Sequence, residues 1–346
     1  MQRFTCGTAE VGAADAARAG GKAAALGELA RAGLPVPRGF VITTAAFLSH
    51  MDGVDPDGAA RAALGALAAD DLAGIARAAA GLRGRVVAQA LPPEVASEIA
   101  PACAALGDGP VAVRSSATLE DSAEASFAGL QDTYLAVRGT DAVLDRVRAC
   151  WASLYNDGSV AYRRRQGIGE DGLAMGVVVQ RMLNPRSAGV MFTRSPVTGD
   201  RSVVAIEGTW GLGSALVGGE VTPDSFTVSK VTGEITGRRV GVKLRVHSFT
   251  PNGQGISATP MAVPLRRTPC LTDDEVRALA RLGRQLEDHY GAPQDIEWAL
   301  LGDSRGRFVL LQSRPETVWA ARDRGPIASP QAKASDHVLA RFRRAL

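Results

Sequence analysis

The sequence predicts an α+β protein with two lobes, and three observations lead to that prediction. The first 110 residues are rich in alanine and follow a helical pattern, whereas short apolar segments typical of strands begin at residue 111. The last two strand patterns, 295–301 and 307–314, are separated by a short turn and should pair antiparallel. Helices and antiparallel hairpins in mixed order favour an α+β fold over a doubly wound parallel sheet.

Glycine and proline divide the N-terminal part into helices. Gly20-Gly21-Lys22 precedes the first helix, and Gly33 ends it. The expected elements are, in chain order, a helix from Ala23 to Ala32, a strand from Gly39 to Ile42, a helix capped by Thr43 or Thr44, and helices within 58–107 separated by Gly81, Gly84 and Pro92-Pro93.

Strand patterns dominate after residue 111. A capping box of Thr272 and Glu275 begins a long helix that should end near Tyr290. Residues 251–269 contain four prolines and little apolar periodicity, so they predict a long loop. The remaining elements expected here are a strand over 111–114, an amphipathic helix over 141–155, a buried strand from Met175 to Met182 that continues through Ala188 to Thr193, and strands over 203–206, 225–229 and 239–246.

Composition excludes several classes of protein. The net charge is +3, and the Lys and Arg residues are scattered, which argues against a nucleic-acid surface. The four cysteines are far apart in the sequence, so neither a disulfide framework nor a zinc site is expected. No segment has the apolar length of a signal peptide or a membrane helix. We therefore expect a cytoplasmic protein that binds neither nucleic acid nor membrane.

The final hairpin is the most informative segment for chemistry. With a turn over 303–306, alternation places Glu297 opposite Gln312 and Asp295 opposite Arg314, all on one face of the sheet. Two carboxylates, an amide oxygen and a guanidinium suit Mg²⁺ together with phosphate. The alternative is a solvated hairpin with an ordinary cross-strand ion pair.

Two further segments have features of phosphate binding. Lys22 follows two glycines at the start of a helix, where backbone N–H groups and an ammonium could hold a phosphate; a plain helix start is the alternative. It is not a Walker A motif, because the first glycine is missing and Ala23 replaces Ser or Thr. Arg114 ends a strand and leads into a small-residue loop through 126–133, which could wrap phosphates or could be a polar surface loop.

Two other features do not point to a site. The segment GTWGLG at 208–213 resembles a dinucleotide fingerprint, but the pattern fails at Leu216. The four histidines have no partner at ligand spacing, so we expect each of them to be a surface or capping residue. They are His50, His247, His289 and His337.

A series of motifs resembles one family in content and order. The similarity covers roughly residues 15 to 320 and is to the N-terminal ATP-binding domain of PEP synthase, pyruvate phosphate dikinase and rifampin phosphotransferase. The resemblance implies an ATP-grasp fold with the nucleotide between two lobes. The motifs are GGKAAALGEL, GLPVPRGFVIT, VAVRSSATLEDSAEASFAGLQDTYL, VVVQRM, SAGVMFTRSPVTGD, TWGLG, VTPDSF, DIEWAL and LLQSRPETVW.

The resemblance also implies roles for individual residues around Mg-ATP. Lys22, Arg114 and Arg314 match phosphate-binding and catalytic positions. The phosphate-covering loop corresponds to Ser126 through Leu130 and its surroundings. The cofactor-binding positions are Lys22, Arg114, Ser126, Gly129, Gln131, Gln180, Met182, Glu207 and Arg314, and the metal positions are Asp295, Glu297 and Gln312.

The enzymes of this family contain further domains that this sequence does not match. They continue into a swivelling domain whose histidine takes the β-phosphoryl group of ATP, and then into an acceptor domain. We therefore expect the histidine and the acceptor site on separate polypeptides, as in phenylphosphate synthase. The alternatives are a nucleotide-binding regulatory module without turnover and a fragment of a full-length enzyme. The expected divisions are an N-terminal lobe over 1–185, a C-terminal lobe over 186–320 and a tail over 321–346.

Overall fold

The computed structural model describes residues 3–68, 70–118, 132–170, 172–302 and 307–319. Within these residues the chain forms three β-sheets of five, two and six strands, together with ten α-helices. The mixed α and β class expected from the sequence is confirmed. No helix in this described part of the chain is long and apolar enough to cross a bilayer.

The first sheet contains every described strand up to residue 181 and is antiparallel throughout. Its strands run in the order β1-β2-β5-β3-β4. Two partners flank the central strand β5, which explains why its residues are almost all buried. The bounds are β1 Thr5–Gly7, β2 Gly39–Ile42, β3 Val111–Ala117, β4 Thr133–Val137 and β5 Met175–Arg181.

Eight helices belong to this part of the chain; some pack on one face of the first sheet, others pack on the opposite face, and the rest pack mainly on neighbouring helices. Phe47 and Trp151 meet edge to face with ring centroids 5.9 Å apart in its core. The helices are α1 Ala16–Ala19, α2 Gly21–Arg31, α3 Thr44–Val54, α4 Ala59–Ala66, α5 Leu72–Ala88, α6 Pro93–Leu106, α7 Thr140–Ala152 and α8 Asp157–Arg165.

The second large sheet has the order β13-β12-β6-β7-β8-β9, and a separate hairpin of β10 and β11 lies beside it. Trp298 on β12 and Leu279 on the long helix α10 are buried in its core. The elements are β6 Pro185–Phe192, β7 Val203–Trp210, α9 Ser214–Val217, β8 Asp224–Ser229, β9 Ile235–Arg239, β10 Arg245–Phe249, β11 Ile256–Pro260, α10 Asp273–Tyr290, β12 Gln294–Leu301 and β13 Phe308–Pro315.

Helix α10 begins and ends where its sequence signals predict. The Thr272 hydroxyl accepts a hydrogen bond from the Glu275 N–H at 3.3 Å, and the Glu275 carboxylate accepts one from the Thr272 N–H at 2.8 Å. Gly291 follows the helix in the left-handed conformation, with φ 66°, which glycine adopts without steric strain. The predicted capping box and helix are confirmed.

The predicted division of residues 58–107 is wrong at two glycines. Gly81 and Gly84 do not separate helices but lie inside α5. Each glycine costs about 1 kcal/mol relative to alanine in a helix, but α5 buries Ile75, Leu82 and Val86 in a core that it shares with α3, α4, α7 and α8. Tertiary packing therefore outweighs the local preference. The two prolines do mark a boundary, since α6 begins at Pro93.

Three strand predictions are also corrected. The strand from Met175 does not continue to Thr193, because β5 ends at Arg181 and β6 begins at Pro185 in a different sheet. The segment 239–246 is not one strand, and it contains the end of β9 and the start of β10. The expected loop 251–269 contains β11, which pairs with β10. These boundaries depend on which backbone segments pair, and side-chain periodicity gives little information about that pairing.

The prediction for the histidines is wrong for His50. This residue is fully buried, and its Nε2 lies 2.9 Å from the Val86 carbonyl oxygen. His247 is also largely buried, between Ser214 and Glu220. His289 lies near the surface beside Glu28.

A fully buried ion pair joins three segments of the second half. The Lys243 ammonium donates to the Asp224 carboxylate, and neither side chain is exposed. Asp224 also accepts hydrogen bonds from the Gly241 N–H at 2.9 Å and the Cys270 N–H at 2.7 Å. The carboxylate thus holds the start of β8 against the segments that precede β10 and α10.

Replacing Asp224 with Asn should lower the free energy of unfolding by about 3 to 5 kcal/mol, since Lys243 would remain buried without a compensating charge. Urea denaturation provides the measurement. Arg277→Ala is the matched control, because it removes an ion pair with Asp274, which is 98% exposed. Similar stabilities of D224N and R277A would show that the buried pair has no special role.

Candidate functional site

The predicted pairing of the final hairpin is confirmed. Glu297 lies opposite Gln312, and Asp295 lies opposite Arg314. Ile296 points to the other face and is buried in the core, as alternation along a strand requires. The hairpin therefore presents two carboxylates, an amide and a guanidinium on one face.

A β-bulge lies in the middle of this polar face, and the sequence did not predict it. Glu297 pairs with Gln312 while Trp298 pairs with Leu310, so Leu311 has no partner on β12. The Leu311 carbonyl oxygen instead accepts a hydrogen bond from Arg114 Nη1 at 2.9 Å. The irregularity thus provides an acceptor for a side chain from the first sheet.

Arg114 connects the two large sheets at this point. Besides Leu311, its guanidinium donates from Nη2 to Gln312 Oε1 at 2.6 Å and to Glu297 Oε2 at 3.1 Å. Arg114 is part-buried, so its contacts with the carboxylate are stronger than those of a surface pair. The structure therefore brings three predicted site residues into direct contact, although they are almost 200 positions apart in the sequence.

Lys22 lies beside the strand that carries Arg114. Its Nζ donates to the Ser115 carbonyl oxygen at 3.2 Å, and the Ala23 N–H donates to Ser116 Oγ at 2.9 Å. Gly20, just before this helix, has φ 82°, and a Cβ there would lie 1.8 Å from the Ser116 carbonyl oxygen. Glycine is therefore required for the start of α2 to pack this closely on β3.

A cavity of about 310 Å³ lies between the two large sheets next to Arg114. Four predicted site residues line it: Arg114, Gln180, Met182 and Glu297. Gln180 is buried, and its Nε2 has no hydrogen-bond partner in the described part of the chain. Arg114 Nε is also buried without a hydrogen-bond partner in the described part of the chain. Buried donors of this kind suit a ligand that is rich in acceptor atoms, such as a nucleotide.

The other predicted residues are more distant or lie outside the described residues. Arg314 forms an ion pair with Asp295 at 3.3 Å, beside the Glu297–Gln312 pair. Glu207 is on the same face of the sheet but lies two strands away from Glu297, because Val190 of β6 pairs with both residues. The distance between the backbones of Glu207 and Glu297 is therefore about 10 Å. The loop positions lie within 119–131, outside the described residues. They are Ser126, Gly129 and Gln131.

The donor set on the hairpin fits magnesium. Glu297, Gln312 and Asp295 offer oxygen atoms on one face, and Mg²⁺ prefers one or two carboxylates together with phosphate oxygens. The described residues contain no cluster of three or more His, Cys, Asp and Glu side chains that could hold a metal. A cation here would therefore need oxygen ligands from a bound substrate.

Next to the site, Tyr134 is the second residue of β4, and its hydroxyl stays neutral. The Tyr134 hydroxyl donates to Asp132 Oδ2 at 2.8 Å. Burial, and then the hydrogen bond and charge of Asp132, raise the pKa of Tyr134 well above its ordinary value. The Asp132 carbonyl oxygen accepts a hydrogen bond from the Ser115 hydroxyl at 3.0 Å, which ties β4 to the strand of Arg114.

Sequence reasoning missed part of the cavity wall. Leu212 and Gly213 line the cavity, although the segment GTWGLG was interpreted as a failed dinucleotide fingerprint and as one of the family motifs, with no site residue assigned in it. Ser214 and Val217 of the short helix α9 also line it. A run of glycines between a strand and a helix was the available signal, since such segments allow close approach of a ligand to the backbone.

Comparisons with known proteins agree on one family. Residues 16–335 match the family described as pyruvate phosphate dikinase, AMP/ATP-binding domain. A rifampicin phosphotransferase from Streptomyces sp. is 45% identical over 89% of this chain and 35% of its own length. A probable phosphoenolpyruvate synthase from Methanothermobacter thermautotrophicus is 41% identical over 92% of this chain and 46% of its own length.

The chain therefore belongs to the pyruvate phosphate dikinase AMP/ATP-binding domain family. It spans less than half the length of these two curated relatives. Among solved structures, D-alanyl-alanine synthetase A from Vibrio cholerae matches with a TM-score of 0.26 at 12% identity. It covers 65% of this chain and 47% of its own, a likeness too weak to define the fold.

Replacing Arg114 with Lys should weaken ATP binding about tenfold or more, because an ammonium cannot reproduce the planar fork that contacts Leu311, Glu297 and Gln312 together. Isothermal titration calorimetry measures the affinity. Arg277→Lys, which changes an exposed ion pair on α10, is the control and should leave the affinity unchanged. Wild-type affinity in R114K would mean that the fork geometry is not used.

Proposed function

We propose that this chain is the ATP-binding subunit of a dikinase-type phosphotransferase. It would transfer the β-phosphoryl group of ATP to a histidine on a separate swivelling protein and release AMP and phosphate. The observation that carries the proposal is the contact of Arg114 with Glu297 and Gln312 at the mouth of the cavity between the sheets. Membership of an AMP/ATP-binding domain family supports it.

In this proposal the nucleotide lies across the cavity with its two ends in different surroundings. The adenine occupies the part lined by Gln180, Met182 and Val217, where the wall is mainly apolar. The triphosphate points to the charged end, where Lys22, Arg114 and Arg314 neutralise its oxygens. Glu207 is proposed as a further contact of the nucleoside, and Ser126, Gly129 and Gln131 as part of the loop over the phosphates.

The reaction needs little covalent chemistry from this chain. The histidine nitrogen forms a bond to the β-phosphorus of ATP while the bond between the β-phosphorus and the oxygen that bridges it to the α-phosphorus breaks. AMP leaves with that oxygen. Water then attacks the γ-phosphorus of the group on the histidine and releases it as phosphate. Mg²⁺ held by Asp295, Glu297 and Gln312 would neutralise charge on the transferring phosphates. Arg114 and Arg314 orient those phosphates, and positioning of this kind accounts for most of the rate enhancement in phosphoryl transfer.

We further propose that the fold is an ATP-grasp with two lobes, one over 1–185 and the other over 186–320, followed by a tail over 321–346. The strand assignment supports this division, since described strands up to Arg181 form the first sheet and those from Pro185 onward form the other two. A nucleotide in the cavity would then contact both lobes. A cytoplasmic location and a separate acceptor-binding subunit belong to the same proposal.

Two alternatives remain open. The chain could be a nucleotide-binding regulatory module without turnover, or the nucleotide-binding part of a full-length PEP synthase-like enzyme. The set of arginine, glutamate and glutamine side chains at the cavity and on the adjoining hairpin favours turnover over regulation. The genes next to this one discriminate further, because a split enzyme needs a phosphohistidine protein encoded elsewhere.

The function is tested by mixing the chain with ATP, Mg²⁺ and a candidate phosphohistidine protein from a neighbouring reading frame. We expect AMP to form and the partner to be labelled from [β-³²P]ATP. Glu297→Ala and Arg314→Ala should reduce AMP formation by a factor of about 100 or more, as is typical for groups that stabilise a developing charge.

Glu94→Ala, at an exposed position of α6, and Arg277→Ala are the matched controls and should keep full activity. ATP binding without AMP formation would favour the regulatory module. Unchanged turnover in E297A or R314A would place the metal and phosphate site elsewhere.

A further inference from the structure

Ser214 is part of a hydrogen-bonded chain that runs from the cavity wall to the surface. Its Oγ lies 2.9 Å from His247 Nδ1, and His247 Nε2 lies 3.3 Å from Glu220 Oε2. Ser214 lines the cavity, the His247 side chain is 11% exposed, and that of Glu220 is 41% exposed. The three residues lie on three different elements or loops, so only the fold brings them together.

The chemistry of the three groups determines the direction of each hydrogen bond. A carboxylate only accepts, so the contact with Glu220 requires a proton on His247 Nε2. In a neutral ring Nδ1 then carries a lone pair, and the Ser214 hydroxyl must donate to it. The lone pairs of Ser214 Oγ are left for the cavity. The wall therefore offers a hydrogen-bond acceptor at this position.

The surroundings of Ser214 indicate which ligand group would use this acceptor. Leu212, Val217 and Met182 line the same cavity, and its charged lining residues are Arg114, Arg181 and Glu297. An apolar wall suits a flat ring more than a sugar, whose hydroxyl groups need several polar partners. Of the purine substituents, a 6-amino group donates a hydrogen bond and a 6-oxo group accepts one.

We propose that Ser214, oriented by His247 and Glu220, accepts a hydrogen bond from the exocyclic amino group of adenine and thereby discriminates against 6-oxo purine nucleotides. The inference rests on the proposed ATP-binding function and adds a specificity-determining residue to it. His247 is a positioning residue, since it acts on the nucleotide through Ser214.

Protonation of His247 would add a donor to the wall. With a proton on both ring nitrogens, Nδ1 donates to one lone pair of Ser214 Oγ, and the serine hydroxyl is then able to donate into the cavity, while one lone pair is left to accept. The charged groups near the ring are Glu220 and Arg245, which lies 3.8 Å from Glu220. Of the elements packed against β10, α9 and β11 carry no charged residue and β7 carries only Glu207. Preference for the amino group should therefore weaken in acid.

The first test compares ATP with inosine triphosphate, which has a 6-oxo group and an N1–H where adenine has a 6-amino group and an unprotonated N1. The dissociation constants of both are measured by calorimetry at pH 8 for the wild type and for Ser214→Ala. We expect S214A to lower the preference for ATP by about two- to tenfold, the usual range for one hydrogen bond. Ser202→Ala, which changes an exposed serine between β6 and β7, is the control and should keep the wild-type ratio.

The second test separates positioning from packing. His247→Asn can keep an acceptor near the Nδ1 position but carries no ionisable ring, so it should retain the preference for ATP without a dependence on pH. His247→Ala should lose the preference itself. His289→Asn, which changes a histidine paired with Glu28 at the surface, should behave like the wild type at every pH.

Each outcome separates this inference from the proposed function. If ATP binds but S214A keeps the wild-type ratio, or if the ratio does not change with pH in the wild type, the role of Ser214 is wrong and the ATP site stands. If S214A weakens the binding of ATP and of inosine triphosphate equally but does not weaken the binding of 2′-deoxy-ATP, Ser214 contacts the ribose and the inference is overturned. Absence of nucleotide binding would overturn both.

Discussion

The contact of Arg114 with the final hairpin is the interaction on which the rest of the site depends. It is the point where a charged side chain of the first sheet meets three acceptors of the second: the Glu297 carboxylate, the Gln312 amide and the Leu311 carbonyl. The bulge at Leu311 makes the third acceptor available. Since a guanidinium offers a planar fork of donors, these contacts fix the relative direction of β3 and β13 and thereby shape the cavity beside them.

Side-chain periodicity predicted most of the local structure that carries the candidate site. Alternation along 295–301 and 307–314 identified the polar face and the two pairs Glu297–Gln312 and Asp295–Arg314, whereas the register from Trp298 onward is shifted by the bulge. The capping box predicted the start of α10. The same reasoning failed where backbone pairing decides, as at the break between β5 and β6 and in the β10–β11 hairpin. Asn184-Pro185 at that break favours a turn, but this signal does not show that the chain changes sheets there.

Contacts between distant segments account for what the sequence could not predict. Arg114 and Gln312 are 198 positions apart, and neither residue indicates the other. His247 was set aside because it has no metal-ligand spacing, yet it meets Ser214, 33 positions earlier, and Glu220, 27 positions earlier. Spacing rules describe a single helix or loop, whereas this hydrogen-bonded chain forms only after β10 packs against α9. The resemblance of ordered motifs to a family could supply the nucleotide site, but it gave no hint of this feature.

The two carboxylates of the hairpin are the strongest physical reason to expect a metal ion with the nucleotide. Asp295 and Glu297 would repel a triphosphate, and each already has an arginine partner: Arg314 for the former and Arg114 for the latter. If phosphates drew both guanidinium groups away, the carboxylates would be left unpaired at the mouth of a part-buried cavity, which is unfavourable. A divalent cation held by the carboxylates and by phosphate oxygens would remove this conflict. In the proposed site the arginines would then neutralise the carboxylates before the nucleotide binds and the phosphates afterwards.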